Sequence, residues 1–345
     1  MFFSYHPKAI IFESTLDCTL NCLYCYNVHK CLPYPRKELD TQTTVSMIRT
    51  IIRQSKCKTF VITGGEPYLR KDIHTLIETV HQEKVKIYMI TNGSLLTEEN
   101  IVHAIQNGVK IFELPLLANS ADIHDKLTRC PNSFCAFDNS VNAALSIHKN
   151  GGQFVNVFVA TKKNIHLLKK TLELSYAIGA KAFLFNRFTP CGEGSRHINE
   201  LLATPEQLTT ALEIANDFAQ KNHFEINCAI NIPPCIINLR KYRFIKFTGC
   251  GIKTKQTSYV LDATGNIRQC TLSAHIIGNI FNESLKSMYE NEASKKLMNA
   301  VPDFCRPCRL VKICQGCCKA SAQSCFNDPC AEEPFLRAYK TKPIK

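Results

Sequence analysis

Three thiols, Cys18, Cys22 and Cys25, lie close together near the N-terminus in the stretch Asp17-Cys18-Thr19-Leu20-Asn21-Cys22-Leu23-Tyr24-Cys25-Tyr26-Asn27. Their spacing has no helical apolar period, and the Thr, Asn and Asp between and beside them suit a loop. A closed structural zinc site takes four protein ligands. Three thiolates on a cube of four irons and four sulfurs leave one iron free to bind something else. An open iron is a chemical position.

A second constellation is Val61-Ile62-Thr63-Gly64-Gly65-Glu66-Pro67. Two glycines let a backbone come close to a ligand, and the Glu66 carboxylate can accept hydrogen bonds from an ammonium group. Taken alone, Gly-Gly-Glu-Pro is a tight turn. Ile90-Thr91-Asn92-Gly93 is another turn of this kind. In Phe185-Asn186-Arg187-Phe188-Thr189-Pro190-Cys191-Gly192-Glu193-Gly194, Arg187 could grip a carboxylate as a bidentate fork, and Gly192 and Gly194 would let the loop fold over a site. The Cys191 thiol could donate a hydrogen atom to a carbon radical, ligate a cluster, or be an inert loop cysteine.

The elements that must position these residues alternate. Short β-rich runs at 9–13, 59–63, 87–91, 111–117, 154–160 and 182–187 are separated by amphipathic segments at 41–55, 73–83, 97–107, 140–150 and 166–178. That order predicts strand–helix units around a parallel sheet, whose closure periodicity does not decide. Thr204-Pro205-Glu206 opens a helix running to about residue 220. Residues 224–230 read as a short strand, and past Pro233-Pro234 cysteine takes over. The expected domains are 1–223, a bridging segment 224–249, and a small cysteine-rich unit 250–345.

Composition narrows the class. With 345 residues the chain can bury a full core, and it holds no apolar run long enough to span a membrane and no signal-peptide pattern. A cytoplasmic, oxygen-poor setting is expected, in which 19 clustered cysteines point to metal ligation rather than to disulfides. The formal charge of +13 is spread without a dense basic run, which argues for a solvated surface and against a nucleic-acid partner. Such a surface would attract an acidic peptide or an electron-donor protein.

The Cys-x3-Cys-x2-Cys loop, with an aromatic before its third Cys and Gly64 to Pro67 one strand–helix unit later, resembles the radical S-adenosylmethionine enzymes. The resemblance implies a partial (β/α)6 barrel with the cluster loop after its first strand. It also implies a 4Fe-4S cluster on Cys18, Cys22 and Cys25 whose free iron binds S-adenosylmethionine. Tyr24 would lie against the adenine, Gly64, Gly65 and Glu66 would hold the methionyl amine, and Asn92 would line the pocket. Arg187 is expected at the carboxylate of S-adenosylmethionine or of substrate. Ala121 to Arg129 is similar to the His-Asp-x3-Arg element of the peptide-modifying branch, and Asp125 and Arg129 are expected in helix-start and salt-bridge roles rather than catalysis.

The tail resembles the SPASM domain, a β-hairpin and helix that carry auxiliary iron–sulfur clusters. The likeness rests on Cys250, the hairpin ending in Cys270, Gly278-Asn279-Ile280, a helix at about 284–299, and Cys305-x2-Cys308-x5-Cys314-x3-Cys318. It implies an inner cluster on Cys250, Cys270 and Cys318, and an outer one on Cys305, Cys308, Cys314 and Cys330, with Cys325 as runner-up. The inner set lacks a fourth thiol. Cys228, Cys235, Cys191, a non-cysteine ligand or substrate could supply it. In isolation, Cys-x2-Cys spacing suits zinc equally well.

The implied activity is reductive cleavage of S-adenosylmethionine to a radical that modifies a peptide or protein by crosslinking, epimerisation or oxidation. A flavodoxin- or ferredoxin-like donor would supply the electron. The first predicted strand begins within ten residues of Met1. A separate leader-peptide recognition protein, or direct substrate binding, is therefore expected. Radical oxidation or decarboxylation of a small cofactor precursor is the second reading. An iron–sulfur electron carrier or regulator is the third, against which Gly64 to Pro67 argue.

Overall fold

Each β-rich run between amphipathic segments becomes a strand, and successive strands lie side by side. The computed structural model describes residues 6–30, 38–130, 135–252, 254 and 257–340. The strands are β1 (Ala9–Glu13), β2 (Thr59–Thr63), β3 (Lys86–Ile90), β4 (Val109–Pro115), β5 (Phe154–Ala160), β6 (Ala182–Arg187), β7 (Glu225–Cys228) and β8 (Ile245–Phe247), followed by β9 (Ser258–Asp262), β10 (Asn266–Arg268) and β11 (Ile276–Asn279). All join one sheet in the order β11-β10-β9-β1-β2-β3-β4-β5-β6-β7-β8. Neighbours from β1 to β8 are parallel, and the sheet does not close on itself. The expected partial barrel with a cysteine-rich C-terminal region is what the chain forms.

Helices α1 (Thr41–Ser55), α2 (Ile73–Gln82), α3 (Glu98–Gln106), α4 (Ala121–Thr128), α5 (Ala136–Lys149), α6 (Leu168–Ala177), α7 (Ile198–Leu201) and α8 (Pro205–Asn222) link the strands. Their apolar faces cover Ile10, Phe12, Phe60, Ile62, Phe112 and Leu114, which form the main core with them. Alternation then turns Ile11, Glu13, Val61, Thr63 and Glu113 toward the opposite, concave face. Helix α8 begins on a capping box of Thr204 and Gln207 with Pro205 in the first turn, the start read from the sequence. None of the described helices is long and apolar enough to cross a membrane.

The tail departs from expectation in two ways. Its hairpin strand β9 pairs in parallel with β1, Ala9 opposite Ser258 through Glu13 opposite Asp262, so β9, β10 and β11 extend the barrel's own sheet. The helix expected over 284–299 is two, α9 (Leu285–Glu290) and α10 (Glu292–Asn299). Asn291 breaks it by adopting an extended backbone and capping Ser294 N with its side chain, a competition with the helix that Asn makes readily. Short helices α11 (Val311–Cys314), α12 (Lys319–Phe326) and α13 (Pro334–Tyr339) complete the chain.

Two buried ion pairs fasten the tail to the barrel. Glu13 at the end of β1 pairs with Arg268 of β10, both almost fully buried, and Arg268 also donates to Ser273 O at 2.7 Å. Arg187 at the end of β6 pairs with Glu333 at 2.8 Å, and its guanidinium lies 5.3 Å from the Phe335 ring centroid. Removing one member of such a pair leaves an uncompensated buried charge. Arg268→Met is expected to cost about 3–5 kcal/mol of unfolding free energy in anaerobic denaturant titration. Adding Glu13→Gln to that variant should recover part of the loss.

Candidate active site

The loop that follows β1 is stitched to the turn that follows β2. Ser14 N donates to Thr63 O at 2.8 Å, Gly65 N to Thr15 O at 2.8 Å, and Glu66 N to Asp17 O at 2.7 Å. The glycines are required by this approach. A Cβ on Gly64, whose φ is +141°, would stand 2.4 Å from Thr15 O, and one on Gly65 would stand 2.0 Å from Asp17 O. From the other side, Asn21 N and Leu23 N donate to Thr128 O and Leu127 O at the end of α4. The thiol loop is thus clamped between two barrel segments.

Within it, Cys18, Cys22 and Cys25 share one site. Burial pushes the Cys22 thiol up to about 12, and the neighbouring Cys25 and Cys18 add to that shift. Leu20 N and Asn92 Nδ2 donate to Cys18 Sγ at 3.5 and 3.7 Å. Among the described residues, no three His, Cys, Asp or Glu side chains converge closely enough to hold a single metal ion. A cube of irons, which spreads its ligands apart, suits three clamped thiols with donors aimed at one sulfur. Tyr24 packs beside Leu23, Leu117 and Phe188, and burial and Cys22 hold its hydroxyl protonated.

Glu66 is fully buried and held by three donors: Thr91 Oγ1 and Asn92 N, each at 2.8 Å, and Tyr68 N at 3.3 Å. Burial nevertheless pushes its carboxyl up to about 7, the position of a carboxylate that lacks a cation. Asn92 binds Glu66 through its backbone and reaches Thr19 Oγ1 at 3.0 Å with its amide. It therefore links the Glu66 turn to the thiol loop.

Glu113 of β4 lies one strand further, its backbone oxygen accepting from Thr91 N at 3.2 Å. Its carboxyl has no hydrogen-bonding or cationic partner among the described residues, and burial alone pushes it up to about 7. The Tyr26 hydroxyl feels burial first and then Glu13, Cys25 and Glu113, so Glu113 faces the concave side beneath the thiol loop. Sequence reasoning missed it. The available signal was a lone acid in the apolar strand Ile111-Phe112-Glu113-Leu114.

Arg187 does not present its fork to an external carboxylate. Its Nη2 binds Glu333, its Nε donates to Asn231 O at 2.7 Å, and the group is 2 % exposed. The ion pair expected of Arg129 is made with Glu193 at 3.0 Å rather than with Asp125, which instead accepts from Phe137 N at 2.9 Å.

Two groups of thiols form in and beside the tail. Buried Cys191 donates to Cys318, and it also feels Cys270 and Cys325. Cys270 is pushed up to about 12 by burial, then by Cys318 and Cys250. In the second group, Cys305 is pushed up to about 12 by burial and then by Cys314, Cys235 and Cys308. Cys330, expected there, is exposed, because Cys330 N bonds back to Asp328 Oδ1 at 2.8 Å and folds the Asp-Pro-Cys turn at the surface. Its charged neighbour is Arg306.

Residues 12–174 match the family model described as Radical SAM superfamily, a domain type that uses a 4Fe-4S cluster and S-adenosylmethionine. The chain is 23% identical to the AdoMet-dependent heme synthase of Methanosarcina barkeri, over 95% of this chain and 96% of that protein. It is 26% identical to the antilisterial bacteriocin subtilosin biosynthesis protein AlbA of Bacillus subtilis, over 90% of this chain and 67% of that one. Among solved structures, Streptococcus suis SuiB bound to precursor peptide SuiA shares the fold with a TM-score of 0.75 at 16% identity, over 95% of this chain and 75% of that one.

A carboxylate, not a carboxylic acid, accepts from an ammonium. Because Glu66 ionises near 7, S-adenosylmethionine binding is expected to tighten as pH rises through that value. Glu66→Gln should weaken binding about tenfold or more, the worth of a charged hydrogen bond, and flatten the pH response. Equilibrium dialysis under anaerobic conditions reads both.

Proposed function

On the premise that residues 12–174 form a radical SAM domain, we propose that this chain is a cytoplasmic enzyme that modifies a peptide or protein substrate by hydrogen abstraction. Cys18, Cys22 and Cys25 would hold the cluster. When bound, the cluster and S-adenosylmethionine supply a 5′-deoxyadenosyl radical that abstracts the substrate hydrogen. Glu66 orients the methionyl ammonium, Thr91 and Asn92 fix Glu66, and Tyr24 walls the adenine side. An acidic flavodoxin- or ferredoxin-like donor suits the net charge of +13. A separate recognition protein would deliver a leader-bearing substrate.

The observation that carries the peptide reading is the charge of the concave face. Arg268 is neutralised there by buried Glu13, and Glu113 adds an acid with no cation facing it among the described residues. Such a face receives a neutral or cationic segment more readily than a substrate bearing several carboxylates. AlbA and SuiB are the comparisons that agree with it. A second reading, radical oxidation or decarboxylation of a heme precursor, is favoured by the end-to-end match with the heme synthase. Reduced protein, S-adenosylmethionine and either a candidate peptide or a carboxylated tetrapyrrole separate the two: 5′-deoxyadenosine formed only with the tetrapyrrole defeats the peptide reading.

Glu113 Oε, deprotonated above about 7, is placed to take a proton from substrate at the concave face. Glu113→Gln is expected to lower product formation by about 10² or more, the usual contribution of a general base, while substrate-free cleavage of S-adenosylmethionine continues. At saturating S-adenosylmethionine, where the Glu66 binding limb no longer contributes, the wild-type rate should rise with pH through about 7, and this limb should vanish in the variant.

A further inference from the structure

Each thiol group contains one cysteine from outside the tail. Cys191 sits on the loop after β6, fully buried, with its thiol donating to Cys318. Ser321 Oγ donates to Pro190 O at 2.8 Å and holds α12 against that loop. Cys250 and Cys270 complete the group, packed together on Ile252, Leu297 and Met298. Cys325 stands at its margin, its thiol donating to Pro190 O at 3.6 Å.

Cys235 follows the Pro233-Pro234 turn, which is closed by Ile236 N and Ile237 N donating to Pro233 O at 3.0 and 3.1 Å. It lines one cavity with Cys305, Cys308 and Cys314, walled by Phe304 and Leu336. Asn231 Nδ2 donates to Cys314 O at 2.9 Å and ties the bridging segment to the tail at this point. Two other buried thiols are engaged with oxygen: Cys228 donates to Ile230 O at 3.3 Å, and Cys317, which also lines that cavity, donates to Glu333 Oε1 at 3.0 Å.

We propose that Cys191, Cys250, Cys270 and Cys318 ligate one auxiliary iron–sulfur cluster, that Cys235, Cys305, Cys308 and Cys314 ligate the other, and that Cys325 and Cys330 ligate neither. The donor sets fit, since four thiolates complete a cubane. Arg187 Nη1, buried without a partner among the described residues, belongs to the guanidinium whose charge Cys318 feels and could donate to a cluster sulfur. With all eight positions filled by protein, neither cluster has an iron for substrate. Their place in the reaction is then to hold or pass an electron.

This ligand set rests on the iron–sulfur reading of the tail, and iron, sulfide and zinc analysis of anaerobically purified protein tests the two separately. Wild type is expected to hold about twelve irons, for three cubanes. Cys191→Ser and Cys235→Ser should each lose up to about four irons or give the electron paramagnetic resonance signal of a three-iron cluster after mild oxidation. Cys330→Ser and Cys325→Ser should keep the full complement. The wild-type auxiliary signals should not change when substrate peptide is added.

Stoichiometric zinc, or about four irons in wild type, would overturn the cluster reading and the ligand set with it. Full iron and an unaltered spectrum in Cys191→Ser or Cys235→Ser, or loss of a cluster in Cys330→Ser or Cys325→Ser, would overturn the ligand set alone. The last two variants keep the test decisive even where Cys191→Ser or Cys235→Ser fails to fold.

Discussion

Pairing of β1 along both its edges is the constraint on which the other features depend. Its partners are β2 on one side and β9 on the other, both parallel and in matching register. Because parallel neighbours end at the same edge of a sheet, the thiol loop after β1 and the Gly-Gly-Glu turn after β2 must meet. They meet so closely that only glycine fits at two successive positions. The tail cannot drift as a tethered module, for its first strand is part of the same ladder. The pair of Glu13 and Arg268 adds a charge constraint at the same strand end, where neither group could be left alone in so dry a place.

Much of this was legible in the sequence, and the legible part has a common cause. Strands β1, β2, β5 and β6 and helix α1 fall where apolar period, caps and turn residues place them, because local rules set those elements. The thiol loop and Glu66 were visible because their chemistry is packed into short contiguous stretches. What was not legible is tertiary. No local pattern says that Arg187 will find Glu333, separated from it by 146 residues, or that Arg268 will find Glu13. Cys235 could be offered only as one of several candidates for the inner cluster for the same reason, since a thiol after two prolines gains a partner only when the chain returns to it.

Glu113 failed to stand out for a different reason. In a half-buried strand an acid among apolar residues reads as a surface position, and here the concave face is neither core nor surface. The barrel is open, so that face needs something to cover it, and Glu113 has no hydrogen-bonding or cationic partner there among the described residues. Glu66 tells the same story in miniature, being supplied with three donors and no cation.

The loop after β6 reaches in both directions. Gly194 N donates to Cys25 O at 3.2 Å, and Gly192, at φ +51°, lies so close to Asn27 that a Cβ would stand 2.8 Å from its carbonyl oxygen. On its other side the same loop carries Cys191 and is held to α12 through Pro190 and Ser321, 131 residues apart. On the proposed ligand set this has a consequence for biogenesis. The inner cluster's proposed ligands run from Cys191 to Cys318, so it cannot be loaded onto a nascent chain until Cys318 has been made. The first thiol loop, by contrast, is complete once Cys25 has been made. Iron delivery to this protein therefore has an order written into its topology, with the inner auxiliary cluster assembled only after the thiols of the first loop have long been available.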